Sequence, residues 1–237
     1  MNFNGIISLL FSCIEFLLLF NLLIFIKKSR FDNIALTMIA LLASYQFLEF
    51  IMCQFNLTAS FYPYIAFLTI SFLPPLNLLL VFTLAGFRFK RINYLIFLPA
   101  IFFSIYYLFV IPQFSVVKCT VLYASYHYPL GDLYGALYYF PILLSLIFLA
   151  IFIRKEKDKK KKNVANLLFW GGIFISLPVV VGFTLMFSGN YSVISAMESI
   201  MCKFAFVYAM ILSFVCLYNS HFNDERNYFK YLFNNKQ

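Results

Sequence analysis

The chain has 237 residues, 63% of them hydrophobic and 11% charged, with a formal net charge of +9. Soluble domains are about 45–50% apolar and about 25% charged, so so few charges exclude a water-soluble fold. A soluble enzyme and a nucleic-acid reader are excluded with it, because the basic residues gather in short loops between apolar runs.

Seven apolar runs predict an all-α integral membrane seven-helix bundle, since a spanning helix needs about 20 apolar residues. The first run covers 5–26 and stops at KKSRFDN. The second covers 34–54 and the third 61–86. After FRFKRIN the fourth covers 94–111. The long connection PQFSVVKCTVLYASYHYPLGD leads to the fifth, 133–153. The basic loop RKEKDKKKKN precedes the sixth, 164–187. The turn SGNYS precedes the seventh, 193–218. The runs are too long, and alternate too little, for membrane strands. Residues 1–218 form the transmembrane domain. Residues 219–237 form a short tail, either frayed or lying flat on the inner leaflet through Phe229, Leu232 and Phe233.

Orientation follows from the basic residues. The loops after the first, third and fifth spans and the tail hold 16 of the 18 lysines and arginines. Lys118 alone faces the other way, and Lys203 lies within the seventh span. The positive-inside rule puts the N-terminus outside and the C-terminus in the cytoplasm. The first span has no basic stretch before it, which fits a retained helix better than a signal peptide. The basic 154–163 loop either sets topology or meets anionic lipid or a cytoplasmic protein partner. IFIKKSR and IFIRKEK end the first and fifth spans alike, a weak echo of the parallel repeats of some transporters.

Four ionisable residues fall inside spans: Glu15, Glu49, Glu198 and Lys203. A charge at mid-bilayer costs about 2.5–3.5 kcal/mol on insertion scales, so such residues face the interior and find partners. Counting helical rise puts Glu15 and Lys203 both roughly 15 Å deep, and Glu49 and Glu198 roughly 8 Å deep. The expectation is a Glu15–Lys203 pair with Glu49 and Glu198 above it, serving as a helix clamp, as a ligand or ion site, or as a covalent lysine site. Asn21, Gln46, Asn77 and Ser176 are expected to hydrogen-bond across helices. Pro74, Pro75 and Pro178 should kink the third and sixth spans. Gly171, Gly172 and Gly182 should let helices approach closely.

Cys13, Cys202 and Cys216 fall in spans and read as small apolar fillers. Cys53 and Cys119 both fall on the outer side, where a disulfide between them is open to form. The sequons at Asn56 and Asn190 hug the membrane and carry little weight. The outer connection holds Tyr123, Tyr126, His127 and Tyr128, as an interfacial belt or as a lid over a cavity. Ser125, His127 and Asp132 lack what a hydrolytic triad needs. Motifs for zinc proteases, serine hydrolases, phosphate loops and metal-spaced cysteines are missing from the sequence. No enzyme activity, cofactor, metal or nucleic-acid partner is expected, and membrane lipid is the expected surrounding.

RFDNIALTMIALLASYQFLEF in the second span, ISFLPPLNLLLVFTLAGF in the third and YHYPLGDLYGALYYFPILL leading into the fifth resemble a known family. They are similar to the seven-transmembrane N-terminal sensor region of bacterial histidine kinases and related regulators. The resemblance spans about 30–218 and departs from the family in lacking an output domain. It implies a standalone sensor in the bacterial inner membrane that binds a small or lipidic ligand and signals through cytoplasmic loops. A small-solute transporter or pore is the main alternative. A retinal photoreceptor is another: Lys203 suits it, but the third span has no carboxylate and the chain has a single tryptophan, Trp170.

Overall fold

The structure, a computed structural model, describes residues 4–26, 29–57, 59–87, 91–187 and 197–234. Side chains are described for these except 91–93, 183, 186–187, 198 and 221–234. The chain is mostly helical. Its α-helices are α1 (Ile6–Phe25), α2 (Arg30–Gln54), α3 (Phe61–Ser71), α4 (Leu73–Leu84), α5 (Leu98–Phe109), α6 (Gly131–Lys155), α7 (Lys159–Phe187) and α8 (Met197–Asn234). Six helical stretches are long and apolar enough to cross a membrane, with α3 and α4 counted as one. This is an integral, multi-pass membrane protein.

Local chemistry sets the ends. Ser29 caps α2 by accepting from the Asp32 backbone N–H, while the Asp32 carboxylate accepts from the Ser29 backbone N–H. This reciprocal box satisfies two donors that a helix start leaves open. The third span breaks at Phe72, with prolines in the first turn of α4; Pro74 and Pro75 have no N–H to continue the ladder. Pro178 lies within α7, which runs on through it. Pro141 likewise lies within α6.

Three expectations need correction. The fourth predicted span, 94–111, is not α-helical throughout: a 3₁₀ stretch, Arg91–Phe97, leads into α5, whose first turn holds a proline. The apolar helical stretch covers Tyr94–Phe109, with Pro99 in the first turn of α5, where its missing N–H costs no helical bond. The lysine run is helix rather than loop, and α7 begins at Lys159. Asp158 makes this start by accepting from the Lys160 backbone N–H, which offsets the cost of cations at a helix N-terminus. The long connection before α6, expected as a loop, contains strands. It forms an antiparallel hairpin of β1 (Ser115–Cys119) and β2 (Ala124–His127), with a register shift between Val116 and Lys118. The tail continues α8 without a break to Asn234, and its side chains lie outside those described.

The helices close a ring in the order α1, α2, α4, α6, α7, α8, with α2 also touching α8 across it. α5 packs outside, against α3 and α6. The most hydrophobic windows of α2, of the third span and of α8 are half or more buried, against about a fifth for α1. α1, α6 and α7 therefore turn most of their apolar surface outward, as lipid-facing helices do. Exposed Ile24, Phe109 and Trp170 belong to that outer surface. Glycine sets the tightest approaches. A Cβ on Gly171 would meet Tyr208 and Ile211 of α8 at 2.8 Å, and one on Gly172 would meet Leu146 of α6 at 2.8 Å. Gly182 lies closer still to Met197.

The end of the bundle that carries the hairpin also holds the start of α1, the end of α2 and the start of α8. The other end holds Arg30, Arg154, Lys155 and the lysine run. These are called the hairpin end and the basic end below. Gly171→Leu should overpack the α7–α8 contact and cost about 1–3 kcal/mol. Thermal unfolding in detergent would show it as a lowered midpoint, and an unchanged midpoint would contradict the close contact.

Candidate functional site

Lys203 is buried in α8, and its ammonium finds three acceptors. It donates to Glu49 Oε1 at 2.8 Å, Ser8 Oγ at 2.8 Å and Gln46 Oε1 at 2.5 Å. An ammonium has three donors, so all are engaged. Glu49 is equally well served. Ser8 Oγ donates to its Oε1 at 2.9 Å and Ser199 Oγ to its Oε2 at 2.8 Å. Gln46 Nε2 donates to the Cys202 carbonyl at 2.9 Å. The cluster thus stitches α1, α2 and α8 together. Charge-assisted hydrogen bonds of this kind contribute about 1.5–3 kcal/mol each, and here they offset the desolvation of both ions.

The expected Glu15–Lys203 pair is therefore corrected: Lys203 pairs with Glu49. Helix direction gives the reason. A helical side chain leans toward its own N-terminus. α8 starts at the hairpin end, so Lys203 leans toward that end. α2 runs the other way, so Glu49 leans down to meet it. Counted from the described helix ends, Lys203 and Glu49 lie about 8–9 Å in, and Glu15 about 14 Å. Glu15 sits one layer lower, 0% exposed, and among the described residues neither carboxylate oxygen has a hydrogen-bond partner. One turn above it, Ser12 Oγ donates to the Ala43 carbonyl at 3.0 Å. Glu198 stands at the start of α8, and its side chain lies outside those described.

The hairpin caps the cluster. The Ala124 backbone N–H donates to Ser199 Oγ at 3.1 Å, one bond from Glu49. Ala124, Ser125 and Tyr126 are buried, and Tyr126 lies against Tyr45 of α2. His127 is exposed, Tyr123 is half-buried, and Tyr128 packs on Phe67 and Phe114. Tyr126 and Tyr128 therefore cover the bundle end, while His127 points away from it. Cys53 and Cys119 form a disulfide joining α2 to β1. The Gly5 backbone N–H donates to the Thr120 carbonyl at 2.9 Å. Gly5 has φ +75°, and a Cβ there would press on Phe50 and Cys53 at 3.2 Å. Glycine is needed there both for its left-handed conformation and for the close approach.

Beside the cluster lies a second feature, an apolar cavity of about 50 Å³. Its wall includes Leu42 of α2, Pro74 of α4, Tyr138 of α6, Gly172 of α7 and Ala205 of α8. A water needs about 10–15 Å³ on such a measure, and apolar cavities stay dry and accept apolar guests. Its polar rim is satisfied internally. Tyr208 Oη donates to Asn77 Oδ1 at 2.6 Å, and Asn77 Nδ2 donates to Ser145 Oγ at 2.9 Å. Cys202 belongs to both features, lining the cavity and accepting from Gln46.

Of the predicted polar residues, Gln46 and Asn77 bond across helices. Asn21 and Ser176 instead donate to the Leu17 and Gly172 carbonyls of their own helices. That is the usual local alternative for such side chains. Cys13 is exposed, while Cys202 and Cys216 are buried. Asn56 follows α2 with φ 52°, while Thr58 and Asn190 of the two sequons lie outside the described residues. Ser8, Ser199 and Ser145 were missed by sequence reasoning. Serine is common in spans, and only a partner on another helix marks it. Among the described residues no His, Cys, Asp and Glu group could hold a metal ion. Comparison with protein-family models, with curated proteins and with solved structures finds no match.

Lys203→Met strands Glu49 as a buried unpaired charge and should cost about 3–5 kcal/mol. Adding Glu49→Gln should restore most of the thermal stability in detergent. Adding Glu15→Gln instead should not. Rescue by the Glu15 variant alone would contradict the observed pairing.

Proposed function

We propose that this chain is a seven-span sensor of the bacterial inner membrane. It binds a small apolar or lipidic ligand in the central cavity and signals at its cytoplasmic face to a partner. The observation that carries the reading is the cavity itself. It is apolar, bounded by the broken third span and by α8, and shares Cys202 with the charge cluster. A guest pressing on Met201, Cys202 or Ala205 acts on the α8 residues flanking Lys203. Any shift of α8 then strains the three acceptors around the ammonium.

Two observations support the seventh crossing. The 3₁₀ stretch and α5 together rise about 32 Å, close to the roughly 30 Å hydrocarbon core. The hairpin after α5 bonds to Gly5, Cys53 and Ser199 at one end of the bundle, whereas α4 ends toward the other. An odd number of crossings separates the termini, and the basic residues favour a cytoplasmic C-terminus. The disulfide suits an oxidising compartment outside. At the basic end Lys160 lies over the Tyr218 ring, 5.7 Å from its centroid. A movement of α8 against α7 would be felt there by the lysine run, the part of the 154–163 segment best suited to a protein partner. The resemblance to kinase sensor regions agrees with this arrangement. The retinal alternative gains nothing from Lys203, whose donors are all engaged.

Mass spectrometry of the gently purified protein, wild type beside Ala205→Leu, tests the cavity. The expected result is a retained small molecule or lipid in the wild type that is lost from the folded variant. Equal occupancy in both would place the ligand elsewhere. A folded wild type that carries nothing, yet moves solute in reconstituted vesicles, would turn the reading to transport.

A further inference from the structure

Charge counting around Lys203 leads beyond the cavity. In the half of the α1, α2 and α8 interface nearer the hairpin, the described residues hold two buried carboxyl groups, Glu15 and Glu49, and one buried ammonium, while a third buried carboxyl, Asp32, lies at the basic end of α2 in its capping box. Glu49 takes the ammonium and two hydroxyl hydrogen bonds. Glu15 takes none, although the Lys203 charge acts on it. With Glu15 and Glu49 both ionised, Lys203 would balance only one of them, and Glu15 would hold its charge without a hydrogen bond among the described residues.

We infer that Glu15 is a proton-binding site: a carboxyl group that takes up and releases a proton inside the membrane, competing with Glu49 for Lys203 when the proton leaves. A proton fits better than a metal cation. A cation of the sodium or calcium class needs several oxygen ligands, and among the described residues no His, Cys, Asp and Glu group is placed to hold a metal ion. The nearby Ser12 hydroxyl is already donated to Ala43. The facing ionisable groups are few. From α8 it is Lys203. From α2, Glu49 and Tyr45 belong to the layer nearer the hairpin. Cys13, on α1 itself, is exposed.

The consequence is mechanical. While Glu15 holds the proton, Lys203 stays with Ser8, Gln46 and Glu49, and Ser199 stays bonded beneath the hairpin. Loss of the proton draws the ammonium toward Glu15, one layer down. That movement gives up the bonds to Ser8 and Glu49 and so shifts the hold of α8 from α2 toward α1. The inference does not depend on the cavity holding a ligand.

Infrared spectroscopy of the purified full chain in lipid vesicles tests it. At neutral pH the wild type should show the carbonyl stretch of an un-ionised carboxylic acid. Glu15→Gln should lack it, and the exposed-segment control Glu156→Gln should keep it. Raising the pH should convert the band reversibly to carboxylate. Several outcomes overturn the inference: no such band in the wild type, a band that survives in Glu15→Gln, or a band indifferent to pH until unfolding. Its loss when sodium chloride is raised at fixed pH also overturns it, since a cation would then be the ligand. Glutamine stands in for the proton-bound carboxyl, so a Glu15→Gln protein that fails to fold contradicts the inference as well.

Discussion

An ammonium ion inside a membrane needs an anion beside it and an acceptor for each of its three protons. Lys203 finds all of these on two other helices, α1 and α2. Ser8 and Gln46 are short polar residues on otherwise apolar faces, and neither could be satisfied by lipid. Between the ammonium, which only donates, and the carboxylate, which only accepts, the two serine hydroxyls and the Gln46 amide each do both. Ser8 accepts from Lys203 and donates to Glu49, and Ser199 accepts from Ala124 and donates to Glu49. Removing one member leaves its neighbours short. A network of this kind therefore fixes helix register more sharply than apolar packing, which tolerates sliding.

The hairpin depends on that network and in turn protects it. Ala124 donates into it, the Cys53–Cys119 disulfide holds β1 to α2, and Gly5 ties the start of α1 to the hairpin turn. These attachments gather α1, α2 and α8 at one end. At mid-bundle the Asn77, Ser145 and Tyr208 chain joins α4, α6 and α8. α8 takes part in both networks, and the cavity lies against it. That placement makes α8 the element through which a change at either site would reach the basic end.

The spans were legible because a bilayer writes its thickness into the length of apolar runs. The basic end was legible for a similar reason, since lysine and arginine collect on one side. Glu49 and Lys203 stood out as charges in apolar company. Their pairing was not legible. Residue counting put Lys203 level with Glu15, but the opposite lean of the side chains on α2 and α8 brings it to Glu49. The hairpin escaped because its strands are only five and four residues long and sit in a loop rich in turn formers. The cavity escaped because five elements build it, each giving one or two small or bent positions such as Gly172, Ala205 and Pro74. The break at Phe72 was foreshadowed by the two prolines that follow it, whereas the 3₁₀ lead-in to α5 needed Pro99 to be read as a first-turn residue.

The central claim is that Lys203 belongs to Glu49 and not to Glu15. Solid-state NMR of the protein in lipid, with labelled lysine nitrogen and glutamate carboxyl carbon, measures this directly. The Lys203 Nζ signal should couple strongly to the Glu49 carboxyl, in keeping with their 2.8 Å contact, and weakly to that of Glu15. The reverse order of couplings would contradict the account, because the hairpin, the register of α1 and the charge balance all rest on that pair.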